Sequence, residues 1–193
     1  MSTPLILAST SRYRRALLDR LGLAYTAVPP ACDEEALKDP ALPPQALADK
    51  LAEAKARSLQ AAVPEAVIIG SDQICARDGE ILHKPGTAER AVAQLLRLQG
   101  GSHQLITALV VVHGTRIWRH TDVTTLTMRP LDRAALERYV AADQPLDCSG
   151  AYKLEQRGIG LFSAIESADS SAIVGLPLLA LTRILGEAGY QIP

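Results

Sequence analysis

The sequence predicts a single domain of the mixed α/β (α+β) class, and three observations lead there. Strand-like and helix-like segments are interleaved along the chain, while residues 103–129 read as a long antiparallel hairpin rather than another strand–helix–strand unit. No internal repeat, low-complexity tract or linker divides residues 1–193, so the whole chain is taken as one domain. The hairpin argues against a strict doubly wound sheet. Nearly half of the residues are hydrophobic, which is ample for a core and excludes disorder.

Charge limits the partners. Twenty Lys and Arg face 21 Asp and Glu for a net charge of -1, unlike the basic domain a broad nucleic-acid surface requires. An anion site must therefore be a local concentration of charge, suited to a small phosphorylated ligand. No run spans a bilayer, and Met1 to Pro4 lead into an apolar run too short for a secretory leader. Cys32, Cys75 and Cys148 form no close-spaced pair and are read as small buried apolar residues of a reduced, cytoplasmic protein.

In order, Leu5 to Ala8 reads as a buried strand that Ser9 and Ser11 hand over to a helix with Leu17, Leu18 and Leu21 on one face, stopped at Gly22. Three arginines and Tyr13 crowd the first turn of that helix, where the free N–H groups already present positive charge. A bound phosphate would relieve the crowding; a solvated basic turn capped by Ser9 or Ser11 is the alternative. Leu23 to Val28 is a strand ended by Pro29-Pro30, and residues 31–44 are an irregular loop holding Asp33-Glu34-Glu35. A helix from Pro44 to about Ala62 carries the ridge Leu47, Leu51, Lys55, Leu59. A lysine on that stripe either snorkels to solvent or points at something anionic.

Residues 66–70 form a strand buried on both faces that ends in Ser71-Asp72-Gln73. Asp78-Gly79 turns a hairpin into Glu80 to His83, closed by Lys84-Pro85-Gly86. Thr87 caps a helix to Leu98, and strands 104–113 and 117–128 make the long hairpin. A helix over 131–140 is capped by Asp132, residues 145–160 are loop, 161–165 is a strand, and a last helix covers 177–186.

Asp72 is the sharpest chemical candidate, because a carboxylate directly after a buried strand must leave the core or be paired. The alternative is a carboxylate capping a turn. Glu34 with Asp72 supplies oxygen ligands for a divalent cation, while Arg14, Arg15, Lys55 and Lys84 suit polyphosphate. Zinc spacing, a P-loop, a dinucleotide fingerprint and a nucleophile elbow are all absent.

Several pieces in order resemble the Maf family of nucleoside triphosphate pyrophosphatases. They are Leu7-Ala8-Ser9-x-Ser11 with paired arginines, Glu34, Ala54-Lys55-Ala56, Gly70-Ser71-Asp72, Lys84-Pro85, His103-Gln104 with Thr107, Gly150-Ala151-Tyr152 and Val174-Gly175-Leu176-Pro177. The resemblance implies a long twisted mixed sheet flanked by helices, like that of inosine triphosphate pyrophosphatases. It also implies hydrolysis of a nucleotide between its α and β phosphates with Mg²⁺ or Mn²⁺. Asp72 would be the proton acceptor, Glu34 would help bind metal, and Ser9, Ser11, Arg14, Arg15, Lys55 and Lys84 would hold phosphates. Tyr13, Gln73 and Glu155 look like the specificity positions of the 7-methyl-GTP group. The dTTP- and UTP-preferring group has arginine, threonine and glutamine there. A cationic methylated guanine suits an aromatic face, and a carboxylate can accept from guanine's donor edge. The family commonly has proline where this chain has Arg12, and tryptophan where it has Tyr13. A homodimer is a family-level expectation, and the same resemblance leaves two alternatives: a dTTP/UTP pyrophosphatase, or a nucleotide-binding regulator of septum formation without turnover.

Overall fold

The apolar run at the start forms β1 (Leu5–Ala8), buried at all four positions. It lies inside a seven-stranded mixed sheet of order β2-β1-β3-β5-β6-β7, with β4 paired to β3, in a computed structural model that describes residues 3–192. Met1 and Ser2, part of the stretch read for a leader, and Pro193 lie outside the described residues. β1 pairs in parallel with β2 (Thr26–Val28) and with β3 (Val67–Arg77), where Leu5 meets Val67 and Leu7 meets Ile69. β4 (Glu80–Leu82) returns antiparallel on β3 through Asp78 and Gly79, both at positive φ, the geometry of a tight hairpin turn. β5 (Ser102–His113) and β6 (Arg116–Met128) are neighbours, and β7 (Phe162–Glu166) adds antiparallel to β6.

Residue contacts divide the chain into two compact units. The first takes in Met1–Asp72, Thr107–Asp122 and Asp169–Pro193; the second takes in Gln73–Ile106 and Val123–Ala168. In the first, α1 (Arg12–Asp19), α3 (Pro44–Arg57) and α6 (Leu178–Glu187) accompany the strands. Leu5, Leu7, Leu17, Leu18, Val67, Ile69, Leu109, Val111, Leu181 and Ile184 make one continuous core there. In the second, α4 (Ala88–Leu98) packs on α5 (Arg133–Asp143), and Leu95, Leu98 and Leu136 are fully enclosed. Ser11, Thr87 and Asp132 cap α1, α4 and α5 as their sequence positions require.

Several boundaries differ from expectation, each for a physical reason. Only Thr26–Val28 of the strand expected at 23–28 pairs, because Leu23 and Tyr25 pack against the core instead. The loop at 31–44 contains one helical turn, α2 (Glu34–Leu37), because Asp33 Oδ1 accepts from the N–H groups of Glu35 and Ala36, both at 3.1 Å. α3 ends at Arg57 rather than Ala62, and the next residues tighten into three-residue turns that still bury Leu59. α5 runs on to Asp143, since Pro145 is the first residue unable to continue it, and the stop comes at Gln144 in a left-handed conformation. The expected loop at 145–160 closes with a 3₁₀ turn, Arg157–Leu161. Most consequential for the site, β3 does not end before Asp72 but passes through Ser71-Asp72-Gln73. It pairs with β1 before them and with β4 after them, so the polar residues fall where its partners change. Of the cysteines only Cys75 is buried; Cys32 and Cys148 are half-buried, and none of the three forms a disulfide.

Candidate active site

In the first unit, the approach of α3 to β3 sets the chemistry. Gly70 makes that approach possible: a Cβ there would collide with the Ala52 carbonyl oxygen and lie 2.7 Å from the Ala56 nitrogen. Lys55 directly precedes Ala56 on the helix, and Asp72 stands two residues beyond Gly70. Lys55 is 5 % exposed and its Nζ donates to Asp72 Oδ1 at 2.7 Å. The same ammonium meets Glu34 Oε2 at 2.9 Å, delivered by the turn that Asp33 caps. The lysine on the apolar ridge therefore points at two carboxylates and does not snorkel. Burying an ammonium is tolerable here because its charge is matched and two of its three donors meet carboxylate oxygens.

The turn after β1 makes a second group. Ser9 is buried, and its Oγ accepts from the Ser11 N–H at 3.1 Å and from Arg14 Nη1 at 3.5 Å. Ser11 Oγ accepts from the Arg14 N–H at 3.4 Å, so both serines cap the turn while one also touches the guanidinium. Arg14 Nε donates to the Gly175 carbonyl at 2.9 Å, and that carbonyl accepts from Ser71 Oγ at 3.0 Å. Burial pulls the Arg14 pKa down, while the negative charges of Asp72 and Glu34 hold it up. The two groups thus share one electrostatic neighbourhood: two cations, Arg14 and Lys55, beside two carboxylates. Arg15 is exposed and stands apart from these hydrogen bonds; its backbone carbonyl accepts from Tyr25 Oη at 3.3 Å. Tyr13 is half-buried, with the Arg12 guanidinium 4.8 Å from its ring centre and Arg12 Nη2 donating to its hydroxyl at 2.7 Å. Arg12 thereby covers one face of the ring expected to receive a base.

The remaining predicted residues lie in the second unit. Gln73 is half-buried on β3, Lys84 is exposed after β4, and Glu155 is exposed in the turn before Arg157–Leu161. That turn is anchored by its neighbours. Lys153 is buried, its Nζ donates to the carbonyls of Asp143 at 2.8 Å and Gln144 at 3.1 Å, and its N–H donates to Tyr139 Oη at 2.9 Å. An ammonium on the last carbonyls of α5 is placed where the helix end favours a cation. Beside it, His103 Nε2 and Tyr152 Oη are 2.8 Å apart, both side chains buried. Burial, assisted by the Arg77 charge, pushes the His103 pKa down to about 4.

That depression has a sign. Below pH 6.5 an unfolded His103 binds a proton that the folded one refuses until about pH 4, so stability is complete above 6.5 and declines across that window. The decline amounts to about 3 kcal/mol at most. His103→Gln keeps a hydrogen-bonding group near Tyr152 without a titrating ring, and urea unfolding at a series of pH values is expected to give it a shallower acid slope than wild type. Equal slopes would remove His103 as the cause.

Sequence reasoning passed over Ser71 and Gly175 as functional residues, although both stood in its quoted motifs; neither type carries charge, and their role depends on partners 104 and 161 residues away. Among the described residues no group of three or more His, Cys, Asp or Glu side chains is arranged to hold a metal ion, and no helix is long and apolar enough to cross a membrane.

Comparison with known proteins gives the family. A protein of Bdellovibrio bacteriovorus is 52% identical over 184 residues, 95% of this chain and 96% of its own length. One of Xanthomonas campestris is 47% identical over 194 residues and covers both chains completely. One of Bordetella pertussis is 46% identical over 187 residues, 97% of this chain and 93% of its own. Each of the three bears the name 7-methyl-GTP pyrophosphatase. The profile of the family described as "Maf-like protein" matches residues 4–188, and by that match and these relatives the chain belongs to the Maf family.

Proposed function

We propose that this protein hydrolyses 7-methyl-GTP between its α and β phosphates, yielding 7-methyl-GMP and pyrophosphate. The observation that carries the reaction class is the Glu34–Lys55–Asp72 cluster, at 2.9 and 2.7 Å, with Arg14 in the same electrostatic neighbourhood. Phosphoryl chemistry needs a positioned water, charge clamps and a metal ion more than a protein nucleophile. The substrate is supported by the name that the full-length relatives share and by Tyr13, Gln73 and Glu155.

In this reading Asp72 takes the proton of the attacking water, and Lys55 fixes that carboxylate through its bond to Oδ1. Arg14 and Ser9 hold phosphate oxygens, Ser11 shapes the turn that presents them, and Arg15 and Lys84 add positive charge from exposed positions. Mg²⁺ or Mn²⁺ belongs to the reading. Glu34 and Asp72 would hold it: two hard oxygen donors already face one cation, and Mg²⁺ takes one or two carboxylates while phosphate and water complete its shell. When bound, the ion neutralises charge on the phosphate oxygens. Tyr13 offers a ring face to a cationic base, and Glu155 accepts from the donor edge of guanine. A cytoplasmic location and a homodimer complete the proposal, the former in keeping with three cysteines outside any disulfide.

Pyrophosphate release across a panel of methylated and ordinary nucleoside triphosphates tests this directly. Wild type is expected to favour the methylated guanine nucleotide, and Glu155→Gln to lose at least tenfold of that preference. A preference for dTTP and UTP would overturn the substrate; tight binding without product under either metal would overturn the enzyme.

A further inference from the structure

The segment from Asp169 to Leu178 is braced by side chains to which the reaction gives no task. Buried Asp169 accepts through Oδ1 from the Ser171 N–H at 2.8 Å and from the Ser171 hydroxyl, and through Oδ2 from the Leu179 N–H at 2.7 Å. Ser171 Oγ accepts from the Leu178 N–H at 2.7 Å. Together they serve the N–H groups at the start of α6, whose own N-cap, Pro177, has no side-chain acceptor. The Ala172 carbonyl accepts from the Thr107 hydroxyl at 2.9 Å and from the Gly175 N–H at 2.9 Å. Gly175 then adopts φ +117 and ψ 13, a conformation that side-chain-bearing residues rarely hold. Its carbonyl receives both Arg14 Nε and Ser71 Oγ, and Leu176 beyond it is fully buried.

We propose that Gly175 is the positioning residue of Arg14, and that the braced turn exists to hold one carbonyl where it fixes the plane of the guanidinium. A backbone carbonyl suits this task better than a carboxylate: it binds Nε without cancelling the cation, leaving the charge for a phosphate. Because the guanidinium is planar, fixing Nε also sets the direction of the remaining N–H donors, one of which already meets Ser9. The same carbonyl ties down Ser71, the residue before Asp72, so clamp and base share one anchor. A Cβ on Gly175 would lie 3.6 Å from Arg14 Nε, an ordinary contact; alanine is opposed by the backbone conformation alone. This inference rests on the reading that Arg14 holds phosphate.

Gly175→Ala, Arg14→Lys and the double variant, made in the full chain, test it by calorimetric binding of inorganic pyrophosphate and by kcat and KM for nucleotide cleavage. Gly175→Ala is expected to weaken pyrophosphate binding and raise KM about tenfold. Adding it to Arg14→Lys is expected to change either quantity less than twofold, because a lysine has no Nε fork to position. Independent, multiplying effects, or unchanged pyrophosphate binding in Gly175→Ala, would overturn the inference. Should Gly175→Ala fail to fold, Thr107→Val removes one brace instead, with an expected threefold loss that again vanishes beside Arg14→Lys. Cleavage of no nucleotide by wild type, with the non-additive pyrophosphate binding intact, would remove the proposed reaction and keep this inference; cleavage with multiplying effects would do the reverse.

Discussion

Asp72→Asn is expected to lower pyrophosphate release by about a thousandfold, within the range that general base catalysis contributes, while leaving the chain folded. That loss corresponds to about 4 kcal/mol of barrier. Asparagine keeps an oxygen able to accept from Lys55, and Glu34 at 2.9 Å retains the ammonium's charge partner, so folding should lose far less. What asparagine cannot do is take a proton from water. Initial rates on the preferred nucleotide, alongside thermal unfolding, separate the two effects. A variant that unfolds cooperatively near the wild-type temperature and still cleaves at the wild-type rate would remove Asp72 as the base.

How far the site could be read in advance depended on whether each residue's partner was local. Ser11, Thr87 and Asp132 were legible as caps because a cap bonds to N–H groups within three residues. Asp78-Gly79 was legible for the same reason, its turn being complete in two residues. Lys55 was legible only as a dilemma. Its place on the Leu47–Leu51–Leu59 ridge fixed the face it occupies, but snorkelling or pairing was decided by carboxylates 17 and 21 residues away. The acidic stretch at 33–35 read as loop because a single helical turn has no periodicity to detect, although Asp33 is a good cap followed by two acids. Gly175 was the least accessible: its task rests on a backbone carbonyl, which every residue possesses. Only the need for positive φ distinguishes glycine there.

Lys55→Met is expected to have the largest effect on stability, and to convert the protein into one stabilised strongly by divalent cations. The substitution keeps the apolar stem on the α3 ridge, so packing with Leu51 and Leu59 survives. It removes the only side chain that bonds to both Asp72 Oδ1 and Glu34 Oε2 among the described interactions. Leaving a buried carboxylate without its partner costs about 3–5 kcal/mol when enclosure is complete. Glu34 has a side chain 41% exposed and can turn to water, so the penalty falls mainly on Asp72 and a value near 3 kcal/mol is expected. For a chain of this size that lowers the unfolding midpoint by about 6–12 °C. Mg²⁺ or Mn²⁺ should then recover much of the loss in the variant, because two converging carboxylates lacking their ammonium present a stronger site to a cation. Wild type should gain less at the same concentration, since there a metal must compete with Lys55. Thermal unfolding of both proteins with chelator and with millimolar metal provides the comparison. If both gain equally, Lys55 and the metal do not draw on the same carboxylates, and Glu34 with Asp72 ceases to be the metal site.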